Sequence, residues 1–304
     1  MGGFMEERNI GQLKRGFIFI FSDCFLMTVT WNYNESLNNQ IIVVQEEIVI
    51  HDLPEELKGF TILQVTDLHG KNFGENQERL LAIINQIEYD ILAITGDMGD
   101  LDYDPDGQAL KQLIVGLTGD GKVVYIEGNH GPFVKDREKG TVNELGKWLE
   151  SQGVDLLIEP LAIDYQGTKI WIAEQTIPFY QPMGFEGITE EDTLIGLMHY
   201  PMNEYFYENQ SKNEDFPPYD LILAGHYHGG LWRIPGLGAL FISDVNGDNW
   251  FPSQERVSGL TEWSGYKQYV SRGLGASGSN PLIKQRWFNP PEVNVLILTN
   301  ESSN

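Results

Sequence analysis

The residues most able to do chemistry fall into five short clusters. Asp67 is followed two positions on by His69, and Gly96-Asp97 stands three positions before Asp100. Gly128-Asn129-His130 forms a tripeptide, His199 closes an apolar run, and Gly225-His226 is followed two positions on by His228. Carboxylate and amide oxygens and neutral imidazole nitrogens are good donors to borderline divalent ions such as Mn, Fe, Zn and Co. At the end of an extended segment, side chains at i and i+2 point the same way, so Asp67-x-His69 and His226-x-His228 are each expected to reach a single site. Gly96, Gly128 and Gly225 permit tight turns and leave space beside the backbone. Two ions sharing a carboxylate would lie about 3.5 to 4 Å apart, a separation suited to in-line attack at phosphorus. His51 lies outside the set and reads as a surface or strand-edge residue.

Each cluster follows a β-branched, apolar run. Strands are expected over 41–50, 60–66, 90–95, 122–126, 169–173, 193–198, 221–224, 269–271 and 293–298. Helical spacing falls between them at 76–87, where Leu80, Ile83, Ile84 and Ile87 share a face, and more weakly at 107–117 and 142–151. This alternation predicts an α/β domain with sandwiched sheets over residues 41–304. The clusters at five strand ends would then gather at one carboxyl edge, where loops converge on rigid strands.

Composition limits the partners. The net charge of −24, from 20 basic and 44 acidic side chains, lacks the Lys/Arg excess that binds nucleic acid, and it disfavours a stable seat on anionic lipid. The substrate is expected to be small or to present one phosphate at a time. Cys24 is the single cysteine, so neither an intrachain disulfide nor a Cys-rich zinc site is available. At the amino end, Lys14 and Arg15 precede the apolar run 16–31, interrupted by Asp23. It reads as an uncleaved membrane anchor with the basic residues inside and the domain outside the cytoplasm, joined through a polar stretch, 32–40. The competing reading is an apolar helix or strand packed on the domain.

In order and spacing, the five clusters resemble the motifs of the calcineurin-like metallophosphoesterases over residues 60–230. The resemblance implies a four-layer α/β/β/α sandwich with two mixed sheets flanked by helices. It also implies two divalent metal ions: Asp67, His69, Asp97 and His228 would hold the first, and Asp97 would bridge to a second completed by Asn129, His199 and His226. His130 would contact the phosphoryl oxygen or protonate the leaving group while a metal-bridging water attacks. Many members carry an acidic residue after Gly-Asn-His, whereas Gly131 stands here, and the resemblance then offers Asp100 to orient His130. The segments 228–236, 271–275 and 289–293 are similar to the YkuE-type bacterial members, many of which carry an anchor or export signal.

Arg233 and Arg272 are candidate phosphate ligands, since a guanidinium can bond phosphate bidentately; the alternative is pairing with the abundant carboxylates. Two acidic, aromatic stretches, 179–192 and 205–219, are candidates for a lid carrying Phe179, Tyr180, Phe185, Tyr205, Phe206, Tyr207 and Phe216. The expected reaction is hydrolysis of a phosphomonoester, phosphodiester or pyrophosphate. Two further readings are a pyrophosphatase of a nucleotide-linked glycolipid of the UDP-diacylglucosamine kind, and a metal-binding interaction module without catalysis. The complete set of ligand positions argues against the last.

Overall fold

The computed structural model describes residues 23–300 except 137–139, 176–184, 186, 190, 204–205, 207–215, 243–249, 264 and 278–283. Helix α1 covers residues 23–38. Strands β1 (Ile42–Val49), β2 (Thr61–Val65), β3 (Ile91–Thr95), β4 (Lys122–Ile126) and β5 (Val154–Leu156) follow, with helices α2 (Glu78–Ile84), α3 (Gln108–Gly116) and α4 (Glu144–Ser151) between them. The second half supplies β6 (Leu161–Tyr165), β7 (Thr168–Glu174), β8 (Thr193–Leu197), β9 (Leu221–Ala224), β10 (Gly259–Trp263), β11 (Tyr266–Val270) and β12 (Glu292–Thr299).

These strands build two six-stranded mixed sheets, ordered β1-β12-β2-β3-β4-β5 and β10-β11-β9-β8-β7-β6. In the first, β2 to β5 run parallel, while β12 runs antiparallel to β2 and parallel to β1. In the second, β7, β8, β9 and β11 are parallel between antiparallel edges. The continuous apolar character of the central strands follows from burial on both faces. Ile62, Ile91, Ala93 and Val124 meet Ile172, Ile195, Leu221 and Leu223 between the sheets. The alternate residues Leu63, Val65, Leu92, Ile94 and Tyr125 face Leu80, Ile84, Leu110, Leu113 and Leu149 of the helices.

The elements the sequence leaves unmarked are edge strands. β6 alternates buried and exposed residues over five positions, and β5 is three residues long, so neither offers a sustained apolar run. Helix α2 is shorter than its periodicity suggests. Asn76 and Gln77 adopt left-handed backbone, φ 50° and 63°, and the Gln77 side-chain oxygen accepts the Phe73 N–H at 3.0 Å, which delays the start of the helix.

Two expectations change outside the site. Of the suggested lid rings, Phe185, Phe206 and Phe216 pack with Met198, Met202 and Tyr219 on the outer face of the second sheet, as core rather than cover. Phe179, Tyr180, Tyr205 and Tyr207 lie outside the described residues. At the amino end, the polar stretch 32–40 is helical to residue 38, continuous with 23–31, while residues 16–22 of the expected anchor lie outside the described residues. Asn34 is 1% exposed and holds α1 to the domain: its side-chain N–H donates to the Arg286 carbonyl at 2.8 Å, and its oxygen accepts the Phe288 N–H at 2.8 Å. Trp31 adds an edge-on contact with Trp287, whereas Phe25, Leu26 and Met27 are exposed. Among the described residues, no helix is long and apolar enough to cross a membrane.

Candidate metal centre

Parallel pairing brings the carboxyl ends of β2, β3 and β4 side by side in one sheet and those of β8 and β9 together in the other. The turns beyond these ends brace one another. Asp67, His69 and Gly70 donate their backbone N–H groups to the carbonyls of Gly96, Asp97 and Met98 at 3.0, 2.9 and 3.1 Å. Within these turns Asp67, His69, Asp97, His226 and His228 all have left-handed backbone, with φ between 49° and 65°. Such a conformation costs an L-residue roughly 1 to 2 kcal/mol, and Asp and His tolerate it better than most.

The side chains therefore diverge from the simple pleat expectation. Asp67, His69 and His228 form one group of potential ligands, and Asp97, His199 and His226 form another, each with its donor atoms within 4.8 Å of one another. Asp67-x-His69 does reach a single group. His226-x-His228 is split between the two, although both pairs share the same spacing and left-handed backbone.

Asp97 joins the groups. Its Oδ2 lies 3.5 Å from His69 Nε2 and 3.2 Å from His199 Nε2, while its Oδ1 accepts the His130 N–H at 2.6 Å. Asn129 Oδ1 sits 3.0 Å from His199 Nε2, at the border of the second group. His199 Nδ1 faces the Thr95 carbonyl at 2.9 Å, so an Nδ1–H donated there fixes the ring with Nε2 toward Asp97. His130 stands edge-on to His69 with ring centroids 5.2 Å apart. Gly128 and Gly225 allow this convergence: a Cβ at Gly128 would lie 2.1 Å from Asp97 Oδ1, and one at Gly225 2.4 Å from Asp67 Oδ2.

The donor set fits divalent cations. Both ring nitrogens of His69 and Nδ1 of His228 are buried without a hydrogen-bond partner among the described residues. Leaving a buried polar atom unpaired costs about 1 to 3 kcal/mol, so a cation is the partner these atoms lack. The electrostatics agree. Burial alone would raise the Asp67 carboxyl, but His228, His69 and His199 hold it well below the usual carboxylate range. Burial pushes His228 down to about 3 and His226 down to about 4, leaving both imidazoles neutral with lone pairs to donate. His199 goes the other way: burial opposes its charged form, yet Asp97 outweighs that and raises it to about 9.

Three expected residues are engaged elsewhere. Asp100 Oδ1 accepts the Asp102 and Tyr103 N–H groups, and its Oδ2 pairs with Lys284 Nζ at 2.8 Å; an orienting bond to His130 is not among these contacts. Arg272 pairs through Nε with Glu292 at 3.4 Å, and Arg233 donates to the Gly229 carbonyl.

Sequence reasoning missed a clasp behind the first group. Arg286 is 2% exposed, and its guanidinium donates to the carbonyls of Asn289, Arg272 and Gly275 at 2.8, 2.9 and 2.7 Å. Burial pushes it down to about 10, so it stays charged at neutral pH. Gly275 then donates to the Asp67 carbonyl at 2.6 Å, and Asn289 donates through its side chain to the His228 carbonyl at 2.7 Å. The available signal was the glycine spacing of 271–275: a Cβ at Gly273 would lie 2.7 Å from the Asp67 Cβ, and one at Gly275 would lie 2.2 Å from the Leu68 carbonyl oxygen. Nearby, burial and the Arg286 charge push Lys71 down to about 7. Tyr200, also missed, lies with its ring 4.2 Å from that of His226.

Two adjoining groups of carboxylate and imidazole donors thus meet at the carboxyl edge of paired mixed sheets, an arrangement suited to divalent cations. The chain belongs to the calcineurin-like phosphoesterase family, whose model matches residues 60–230, more than half of its length. Among curated proteins it is 28% identical over 278 residues to an uncharacterised metallophosphoesterase of Campylobacter jejuni, covering 86% of this chain and 65% of that one. It is 26% identical over 253 residues to phosphodiesterase YaeI of Escherichia coli, covering 79% and 82%. It is also 26% identical over 212 residues to a transmembrane protein with a metallophosphoesterase domain from Danio rerio, covering 62% of this chain and 44% of that protein. The chain thus spans about half to two thirds of the first and third of these relatives.

Proposed function

We propose that the chain is a binuclear metal-dependent phosphoesterase that cleaves a phosphodiester or a related phosphate ester. The observation that carries this reading is Asp97 Oδ2, a buried carboxylate oxygen placed between imidazoles of both groups, 3.5 Å from His69 Nε2 and 3.2 Å from His199 Nε2. Asp67, His69 and His228 would hold one ion and His199, His226 and Asn129 the other, with Asp97 shared. When bound, such ions supply Lewis acidity toward the phosphoryl group and bring the pKa of a coordinated water toward neutrality. Two dications against two carboxylates leave the site net positive, which opposes the acidic surface at short range because screening fades the wider field over roughly 8 to 10 Å. His130 adjoins His69 and is anchored through its backbone on Asp97, so its ring is free to bind a phosphoryl oxygen or to protonate the leaving group. The apolar run 16–31 would tether the chain to a membrane with the domain outside the cytoplasm, a reading that the exposed Phe25, Leu26 and Met27 support.

The test is reconstitution of the metal-free protein with Mn, Fe, Zn or Co and assay on a chromogenic phosphodiester, a phosphomonoester and a nucleotide-sugar pyrophosphate. His130→Ala should retain two ions by elemental analysis and lose about 10² to 10⁴ in kcat, the usual contribution of a general acid. No hydrolysis with any metal, or full turnover by His130→Ala, would overturn the mechanism.

A further inference from the structure

The loop that carries His130 is tied at every residue from 130 to 135. The His130 N–H donates to Asp97 Oδ1 at 2.6 Å, and the Gly131 carbonyl accepts the Gly99 N–H at 2.9 Å. The Tyr125 hydroxyl donates to the Pro132 carbonyl, and the Asn143 side-chain N–H to the Phe133 carbonyl, both at 2.7 Å. The loop then returns to its own start, where the Val134 and Lys135 N–H groups both donate to Glu127 Oε1 at 2.6 and 2.8 Å. Lys135 Nζ, 3.3 Å from Glu174 Oε2, pins the same end to β7 of the second sheet.

Glu127 is the first residue beyond β4 and stands directly before Gly128-Asn129-His130. One of its carboxylate oxygens therefore closes the loop 127–135 around Asn129 and His130. Gly128 and Gly131 flank those two residues, and glycine restricts its own backbone least of all, so the placement of His130 has to be imposed from outside the turn. A carboxylate accepting N–H groups suits that task, since such charge-assisted bonds are roughly twice as strong as neutral ones. The other side chains that hold the loop have further work. Tyr125 is 1% exposed in the core, Asn143 caps α4, and Asp97 joins the two ligand groups. Glu127 is half-buried and belongs to neither ligand group.

We infer that Glu127 is the positioning residue of His130: its carboxylate fixes the return of the loop and, through it, the place of the His130 ring beside His69. This rests on the role proposed for His130 and supplies the orienting contact that Asp100, engaged with Lys284, does not make. Glu127 acts by the reach of an acceptor oxygen to two N–H groups. Glutamine keeps that oxygen at the same distance from the backbone, whereas aspartate keeps the charge on a side chain one methylene shorter. A misplacement of about 1 Å costs on the order of 10²-fold in rate, so the shorter side chain should be felt at His130.

A double-mutant cycle with His130→Ala tests this on the metal-loaded protein and a chromogenic phosphodiester. Glu127→Asp should lower kcat by about 10- to 100-fold, with KM within about threefold and both ions retained, and Glu127→Gln should recover most of that loss. In the His130→Ala background, Glu127→Asp should change kcat by less than about twofold, because the group it positions is gone. A loss of full size in that background, or wild-type kcat in Glu127→Asp, overturns the inference. If no substrate is hydrolysed, the phosphoesterase reading fails and the ring itself decides the positioning. In zinc-loaded protein labelled with 15N-histidine, the His130 ring signals, identified by their absence from His130→Ala, should shift or broaden in Glu127→Asp and keep their place in Glu127→Gln. Signals that Glu127→Asp leaves unmoved overturn it.

Discussion

The two ligand groups are built by different means. The second is set by the sheets themselves: His199 sits two residues beyond β8 and faces the carbonyl of Thr95 at the end of β3, and Asp97 sits two residues beyond that strand. The first depends on the far end of the chain. Asp67 and His228 are steadied by Gly275 and Asn289, which the buried Arg286 ties together, and Asn34 of α1 holds Arg286 from behind. One group is thus a consequence of strand pairing, while the other is a clasp that closes only when residues some 60 to 250 positions apart have assembled. The carboxylate that spans the two is Asp97, so its removal should abolish the distinction. Asp97→Asn is expected to lose both ions by elemental analysis and at least about 10³ in kcat/KM, the largest effect of any single change here. Retention of two ions by Asp97→Asn would show that the groups do not share it.

This contrast also separates what the sequence makes legible from what it hides. The second group is nearly readable as written, because apolar runs of four to six residues announce their strands and the polar residues follow within two positions. Every proposed ligand type was visible on that basis. The split between His226 and His228 came only from the family resemblance, since the same spacing and left-handed backbone keep Asp67 and His69 together. Arg286 and Asn289 were invisible for another reason. A guanidinium bonded to backbone carbonyls leaves no pattern in side-chain types, and only the glycines at 273 and 275 hinted at close packing. Conversely, Arg272 and Phe216 looked functional by type and serve as an ion-pair partner and a packed ring.

A smaller effect sharpens the comparison. Asn289→Ala removes the side-chain bonds to the His228 and Gly230 carbonyls, at 2.7 and 3.1 Å, and leaves the second group untouched. In a His226→Ala background, which isolates the first group, Asn289→Ala should weaken metal binding about 10- to 100-fold, the scale of lost support behind a metal ligand. In a His69→Ala background, which isolates the second group, affinity should change less than about twofold. Equal losses in the two backgrounds would mean that Asn289 supports the whole fold and not one group.

The smallest effect is also the most diagnostic, because it turns on charge and leaves the packing intact. In the metal-free protein His199 is held at about 9, above the ordinary 6.5 of histidine, and His228 is pushed down to about 3. A raised histidine binds its proton more tightly folded than unfolded. Its contribution to the stability of the metal-free protein is therefore complete below pH 6.5 and disappears as pH rises through 9. A metal entering the second group must first displace that proton, so its apparent affinity should rise about tenfold per pH unit between 6.5 and 9. His228 carries no proton in this range, and the first group should show no such slope from His228. Calorimetric titrations in buffers of different ionisation enthalpy, run on the two single-group backgrounds, would count the released protons directly. Proton release of the same size from both groups would show that Asp97 does not charge His199 selectively, and the electrostatic difference between the two groups would fall.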